Sequence, residues 1–278
     1  MREYQPGRPS MFPRRHQFLL LLCGFDLYRW CYRRDALPKG CFYADPFVIE
    51  KDGINYIFLE AFDERLKKAH IVVLEADGSG MISEPKKVLE APYHLSYPFV
   101  FAHEGNYYMI PETAANKTVS LYRARSFPYD WEFVMHLMEG IELADATLHF
   151  ENGLWWLFAA GRNHSFVSTN DQLFLYYSEA LLSNQWKPHL RNPVATQVEN
   201  CRPAGRLFRH EGKLFRPAQD NGSRQYGYGL RINEITVLTK ENYQEQEVTA
   251  LDPASLGLKA CHHMDHSSSI IVLDGIVK

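Results

Sequence analysis

Apolar residues in this chain come in short runs that break at a polar residue plus glycine and then resume, and the pattern aligns four times without gaps. The stretches are ADPFVIEKDGINYIFLE (44–60), SYPFVFAHEGNYYMIPE (96–112), ADATLHFENGLWWLFAA (144–160) and PAGRLFRHEGKLFRPAQ (203–219), in register on Gly53, Gly105, Gly153 and Gly212. Short apolar runs rich in branched and aromatic residues read as strands. A glycine behind Asp, Asn or Glu supplies the positive φ of a two-residue hairpin turn. A weaker fifth copy, HSSSIIVLDGIVK (266–278), is expected to turn at Asp274-Gly275.

Successive turn glycines lie 52, 48, 59 and 63 residues apart, about the length of one four-stranded propeller blade with its loops. Further apolar segments at 70–76, 118–124, 172–179 and 233–239 provide the outer strands. The pattern predicts an all-β fold, a five-bladed β-propeller forming one domain over 1–278. The fifth copy ends too soon to complete a blade, so the apolar N-terminal segments 17–25 and 27–34 are predicted to close the ring. Residues 1–16, with Pro6, Pro9 and Pro13, are expected to form a loose arm.

Composition narrows the function. Thirty Lys plus Arg against thirty-three Asp plus Glu give a net charge of −3, without the basic excess that nucleic-acid backbones select. The run Phe18 to Phe25 falls well short of the roughly 20 apolar residues of a membrane helix. It lacks the small-residue cleavage site of a secretory leader, so no membrane span is expected. Five scattered cysteines with no CxxC pair point to reduced thiols and a cytoplasmic protein. No cofactor motif is present.

Candidate chemistry follows from the repeat. Inner strands of a propeller line its channel, so equivalent positions form a ring. Eight residues before each turn glycine stand Asp45, Tyr97, Asp145 and Ala204, and in the weak copy Ser267. Seven residues after it, back at the same rim, stand Glu60, Glu112, Ala160 and Gln219. Crowded carboxylates push each other's pKa values apart, so one can act as acid and another as base. Asp45 and Asp145, on non-adjacent blades, are expected to face each other across the channel at the roughly 6.5–9.5 Å of an inverting glycosidase pair. An Asp at a strand start can equally cap a loop.

Arg202 and Arg216, with Gln219 and Asp220, suggest two-pronged recognition of an anionic group such as an acidic sugar, or simple neutralisation of the carboxylates. His94 is placed at the rim. The cluster Cys261-His262-His263-Met264-Asp265-His266 matches no standard zinc spacing, so His262 and His263 are read as substrate-facing and no metal site is assigned.

The motifs ADPF at 44–47 and DAT at 145–147 resemble the first and third blades of five-bladed glycosidases such as glycoside hydrolase family 43. That resemblance implies Asp45 as general base and Asp145 as the residue that tunes pKa and orients the sugar. Across nearly the whole chain, ADPF, YHLSYPFVF, IPET, DATL, RPAGRLF, RPAQD and YGYGL resemble the propeller domain attached to plant glucosamine inositolphosphorylceramide transferases. This implies a carbohydrate context and does not by itself imply hydrolysis, since the transfer chemistry of the plant proteins belongs to a separate domain.

Where family 43 places its general-acid Glu in the fourth blade, this chain has Arg202-Pro203-Ala204-Gly205. Glu112 is the expected substitute acid. The resulting reading is a carbohydrate-active protein, a glycoside hydrolase for an acidic or modified sugar using Asp45, Asp145 and Glu112. The alternative is a non-catalytic glycan-binding propeller that works with partner proteins of polysaccharide or glycolipid synthesis.

Overall fold

The four aligned turns all form. Asp52-Gly53, Glu104-Gly105, Asn152-Gly153 and Glu211-Gly212 each place two successive residues at positive φ, between 47° and 79°, the geometry that lets a two-residue connection follow the right-handed twist of its strands. The computed structural model describes residues 21–24, 30–32, 40–77, 82–222 and 226–277. The arm predicted at 1–16 lies outside them.

Each turn joins the two inner strands of an antiparallel four-stranded blade. The first blade comprises Cys41–Lys51, Ile54–Asp63, Lys68–Ala76 and Lys86–Leu89. The second comprises Ser96–His103, Asn106–Thr113, Thr118–Ser126 and Asp130–Glu139. The third comprises Ala144–Glu151, Leu154–Gly161, Gln172–Ser178 and Lys187–Pro188. The fourth comprises Phe208–His210, Lys213–Asp220, Gly229–Leu238 and Tyr243–Leu251. Strand order within every blade follows chain order. Among the described residues no helix is long and apolar enough to cross a membrane.

The expected count of five blades is corrected to four, because the fifth turn does not form. Asp274 is buried, and its Oδ1 accepts the backbone N–H groups of His262 and His263 at 2.9 and 3.0 Å. That carboxylate fixes the chain where a hairpin would have reversed it. Ile270–Leu273 instead pairs back onto Met264–His266, while Ile276–Val277 leaves to pair with Leu258–Ala260. Ser267 therefore sits in the connection between two strands, bonded to Asn55 Oδ1 at 2.7 Å, and not in the channel ring.

The two ends of the chain meet in a separate composite sheet, ordered Trp30–Tyr32, Leu21–Gly24, Ile270–Leu273, Met264–His266. Val272 packs with Val48, Ile57 and Val72 of the first blade. Leu273 packs with Ala204 and Leu230 of the fourth. The N-terminal strands thus pair with the chain's end between the fourth blade and the first, as the apolar pattern at 17–34 predicted.

Faces of adjacent blades form the core. Phe47, Phe58, Tyr97, Phe99, Trp131 and Leu157 belong to the largest cluster, running from the first blade to the third. A second cluster around Trp156, Phe158, Leu175 and Leu214 joins the third blade to the fourth. Trp155 and Trp156 serve opposite faces of one strand, each in a different cluster, as strand alternation requires.

Candidate functional site

Three of the four positions that lie eight residues before a turn glycine share a local distortion. Asp45, Tyr97 and Asp145 have φ of 52°, 44° and 57°. Each sits at a register shift between the two inner strands of its blade, at Ala44/Phe47, Ser96/Phe99 and Ala144/Thr147. Such a bulge carries an extra residue and re-aims its side chain. A left-handed conformation at a non-glycine residue costs about 1–2 kcal/mol and concentrates at functional sites.

The bulges and the returning strands gather carboxylates from three blades. Asp45 accepts the backbone N–H of Tyr97 on Oδ2 at 3.2 Å. Its other oxygen lies 3.3 Å from His262 Nε2, whose Nδ1 lies 3.0 Å from Asp274 Oδ2. Burial opposes a charge on His262, but Asp274 and then Asp45 outweigh it and hold the imidazole well above its usual range. Burial likewise opposes ionisation of Asp45. The hydrogen bond and charge of His262, with His263 and Arg202 behind it, lower its carboxyl to about 2.

Glu60 behaves in the opposite sense. Burial, then the charges of Asp45 and Glu112, push its carboxyl well above the usual glutamate range against the pull of His262. His94 Nε2 lies 3.4 Å from Glu60 Oε1. Its Nδ1 accepts the N–H of Ala69 at 3.3 Å, which leaves the proton on Nε2. Burial lowers the His94 pKa, which favours a neutral imidazole beside Glu60.

Arg202 joins the remaining pair. Its Nε and Nη2 reach the two oxygens of Asp145 at 2.6 and 3.3 Å. Nη2 also meets Glu112 Oε2 at 3.3 Å, and Nη1 donates to Asn170 Oδ1 at 2.6 Å. Gln219 Nε2 adds a bond to Asp145 Oδ2 at 3.2 Å. Burial drives the Asp145 carboxyl upward, Arg202 pulls it down, and Glu112 and Asp45 push it up again, for a net displacement upward. The ring of Tyr226 packs 5.3 Å from the Arg202 guanidinium carbon and 6.2 Å from the His262 ring.

The structure therefore brings Asp45, Glu60, His94, Glu112, Asp145, Arg202, Gln219 and His262 to one rim. Four further expectations are corrected. Arg216 is fully buried and forks onto Glu245 at 2.7 and 2.8 Å. It lies an odd number of positions from Gln219, so strand alternation turns it away from the rim. Asp220, next to Gln219, also points away and pairs with Arg231 at 3.0 Å. Arg216 and Asp220 therefore take no part in recognising an anion at the rim, and Arg202 is already matched by Asp145 and Glu112.

Tyr97 is fully buried below the rim, its hydroxyl bonded to Thr147 Oγ1 at 2.8 Å and to the N–H of Gly205 at 2.9 Å. His263 is fully buried against Phe47 and Tyr97, at ring distances of 4.5 and 5.2 Å. Neither presents a polar atom to a ligand at the rim.

Asp274, Asn170 and Tyr226 join the site without having been singled out. Asp274 carries an Asp-Gly signal that local reasoning assigns to a turn. Tyr226 opens the YGYGL segment, while nothing in the sequence marks Asn170. Asp45, His262 and Asp274 offer one atom each within 4.8 Å of one another, a set able to hold a metal ion. The same spacing is met by an imidazolium shared between two carboxylates.

Residues 32–265 match the family described as glucosamine inositolphosphorylceramide transferase 1, N-terminal. The chain is 34% identical over 220 residues to glucosamine inositolphosphorylceramide transferase 1 of Arabidopsis thaliana, covering 78% of this chain and 28% of the relative. It is 35% identical over 233 residues to the protein of that description from Oryza sativa subsp. japonica, covering 81% of this chain and 31% of the relative. The chain thus spans less than a third of the length of either plant protein.

Among solved structures, Zg3597, a family 117 glycoside hydrolase of Zobellia galactanivorans, superposes with a TM-score of 0.62 at 14% identity, covering 94% of this chain and 90% of that one. The catalytic domain of a Coprinopsis cinerea family 62 α-L-arabinofuranosidase superposes with a TM-score of 0.63 at 12% identity, covering 84% and 90%. At such identities the likeness is one of fold.

Proposed function

The chain belongs to the glucosamine inositolphosphorylceramide transferase 1 N-terminal family, and from that premise and the rim geometry we propose a carbohydrate-active propeller that acts as a glycoside hydrolase. The observation that carries the reading is the convergence of Asp45, Glu60, Glu112 and Asp145 from three blades around two cationic side chains. Three neighbouring bulges hold this arrangement at a cost in backbone strain.

Asp45, ionised, takes the proton of the attacking water. Glu60, protonated and oriented through Oε1 by neutral His94, gives its proton to the departing glycosidic oxygen. Arg202 and Gln219 hold Asp145 against the sugar hydroxyls. Glu60 replaces Glu112 in the acid role, because Glu112 is an ion-pair partner of Arg202. General acid and base catalysis of this kind contribute about 10²–10⁴-fold each.

One observation favours a second reading, a glycan-binding propeller without turnover. Where the family 43 resemblance would place a fourth-blade acid, the chain has Arg202-Pro203-Ala204-Gly205, with Ala204 fully buried. A screen of aryl glycosides and oligosaccharides, with calorimetry in parallel, separates the two. Hydrolysis lost about 10²-fold or more in Asp45→Asn, with sugar binding retained, is expected. Sugar binding with no turnover by the wild-type protein would leave the binding reading in its place.

A further inference from the structure

The rim is walled unevenly. In the first two blades the connections leaving the rim are short, residues 64–67 and 114–117. In the third blade the connection runs over 162–171, and in the fourth it spans Asp220 to Gly229, of which Asn221, Gly222 and 226–228 are described. Arg202 touches both of these longer connections, through Asn170 Oδ1 at 2.6 Å and through the ring of Tyr226 at 5.3 Å.

Each presents an aromatic surface. Tyr226 is 38% exposed, with its neighbour Gly227 pinned by Asn221 Oδ1 at 2.6 Å. Phe166 is 79% exposed, lying parallel to His164 with ring centroids 5.2 Å apart and planes 2° apart. An exposed, stacked ring pair on a loop tied to a buried polar site is not the scattered single hydrophobe common on surfaces. Flat aromatic faces match the C–H faces of sugar rings, and residues of this kind supply large contact area for few frozen torsions.

We propose that the third-blade connection carries a second sugar subsite on the His164–Phe166 pair, next to Tyr226. Resting on the sugar-site reading above, it makes the ligand an oligosaccharide: Tyr226 stacks the ring held by the carboxylates, and the His164–Phe166 pair stacks the next ring out. The open side, over the first and second blades, is then where the chain terminus of the glycan enters. Phe166 is a binding residue in this scheme and takes no part in bond breaking.

Calorimetric titration with xylose, xylotriose, glucose and cellotriose tests it, using the wild-type protein, Phe166→Ala and Tyr226→Ala. One trisaccharide should bind about tenfold more tightly than its monosaccharide, the size of one good stacking contact. Phe166→Ala should erase that advantage and leave monosaccharide affinity unchanged, while Tyr226→Ala should weaken both. Because Phe166 is exposed, its replacement leaves the fold intact, which a melting curve checks. Trisaccharides binding no better than monosaccharides, or keeping their advantage in Phe166→Ala, overturn the subsite alone. No binding of any of the four sugars overturns the sugar reading and the subsite with it.

Discussion

His262 stands between two carboxylates, and its proton governs both. Asp274 and Asp45 hold it cationic; His262 in turn holds Asp45 ionised down to about 2. The two shifts have opposite linkage. The raised His262 pKa contributes stability that is full below its unfolded value and is lost as pH rises through the folded one. The lowered Asp45 pKa contributes stability present above its unfolded value and lost as pH falls towards about 2. The proposed hydrolysis requires Asp45 ionised and Glu60 protonated. The rate should therefore form a plateau whose acid limb lies near Asp45's depressed pKa and whose alkaline limb lies above the ordinary glutamate range. Asp274→Asn removes the charge that chiefly raises His262, so the imidazole loses its proton at lower pH. Once His262 is neutral its pull on the Glu60 carboxyl is gone, so the alkaline limb of kcat/KM should move to higher pH, while the acid limb, where the imidazole is still protonated beside Asp45, stays. A ring-proton NMR titration of His262 reads the same change without turnover; an unmoved His262 titration in Asp274→Asn would refute the coupling.

At the scale of the hairpin, what was legible in the sequence is what local geometry decides. Gly53, Gly105, Gly153 and Gly212 follow left-handed residues, a requirement visible in any single pair of strands, and once the turns are fixed the ring of Asp45, Glu60, Glu112 and Asp145 follows by counting. Failures came where distant contacts override the local signal. Asp274-Gly275 reads as a turn, but the Asp carboxylate is taken by backbone amides of residues 262 and 263. Arg216 and Asp220 stand close to Gln219 in sequence, but strand parity places both on the opposite face. His94 and His262 lie at the rim, yet their protonation states depend on Glu60, Asp45 and Asp274 folded against them, which no spacing encodes. Two glycines measure the contrast. A Cβ at Gly105 meets nothing within 4 Å, so Gly105→Ala should cost only the strain of positive φ, about 1–2 kcal/mol. A Cβ at Gly205 would lie 1.7 Å from the carbonyl oxygen of Met264, where the fourth blade meets the composite sheet. Gly205→Ala should be clearly the more destabilising in urea unfolding; equal losses would mean that this close approach is not rigid.

At the scale of the whole ring, blades that share no hydrogen-bonded ladder are joined by polar side chains crossing the channel in successive layers. In the rim layer Arg202 of the fourth blade reaches Asp145 of the third and Glu112 of the second, and His262 reaches Asp45 of the first. Beneath it the Tyr97 hydroxyl joins the second blade to Thr147 and Gly205. Three residues further along the inner strands, Arg206 of the fourth blade forks onto Asp265 at 3.1 and 3.2 Å and donates to the Val100 carbonyl at 2.7 Å. Asp265 in turn accepts the N–H of Val48 at 2.9 Å. That single pair connects the composite sheet to three blades, and its two members are unequally buried: the Asp265 side chain is fully enclosed, whereas Arg206 keeps 21% exposure. Removing the cation strands a carboxylate with one backbone donor, so Arg206→Met should destabilise by about 3–5 kcal/mol. Asp265→Leu leaves an arginine that still reaches Val100 and some water, so its loss should be smaller. The double replacement leaves neither member of the pair buried without its partner, and its destabilisation should fall well below the sum of the two single losses, a coupling that urea unfolding of all four proteins reads directly. Strict additivity would mean that the pair acts only by filling space, and that apolar faces alone hold the blades around the channel.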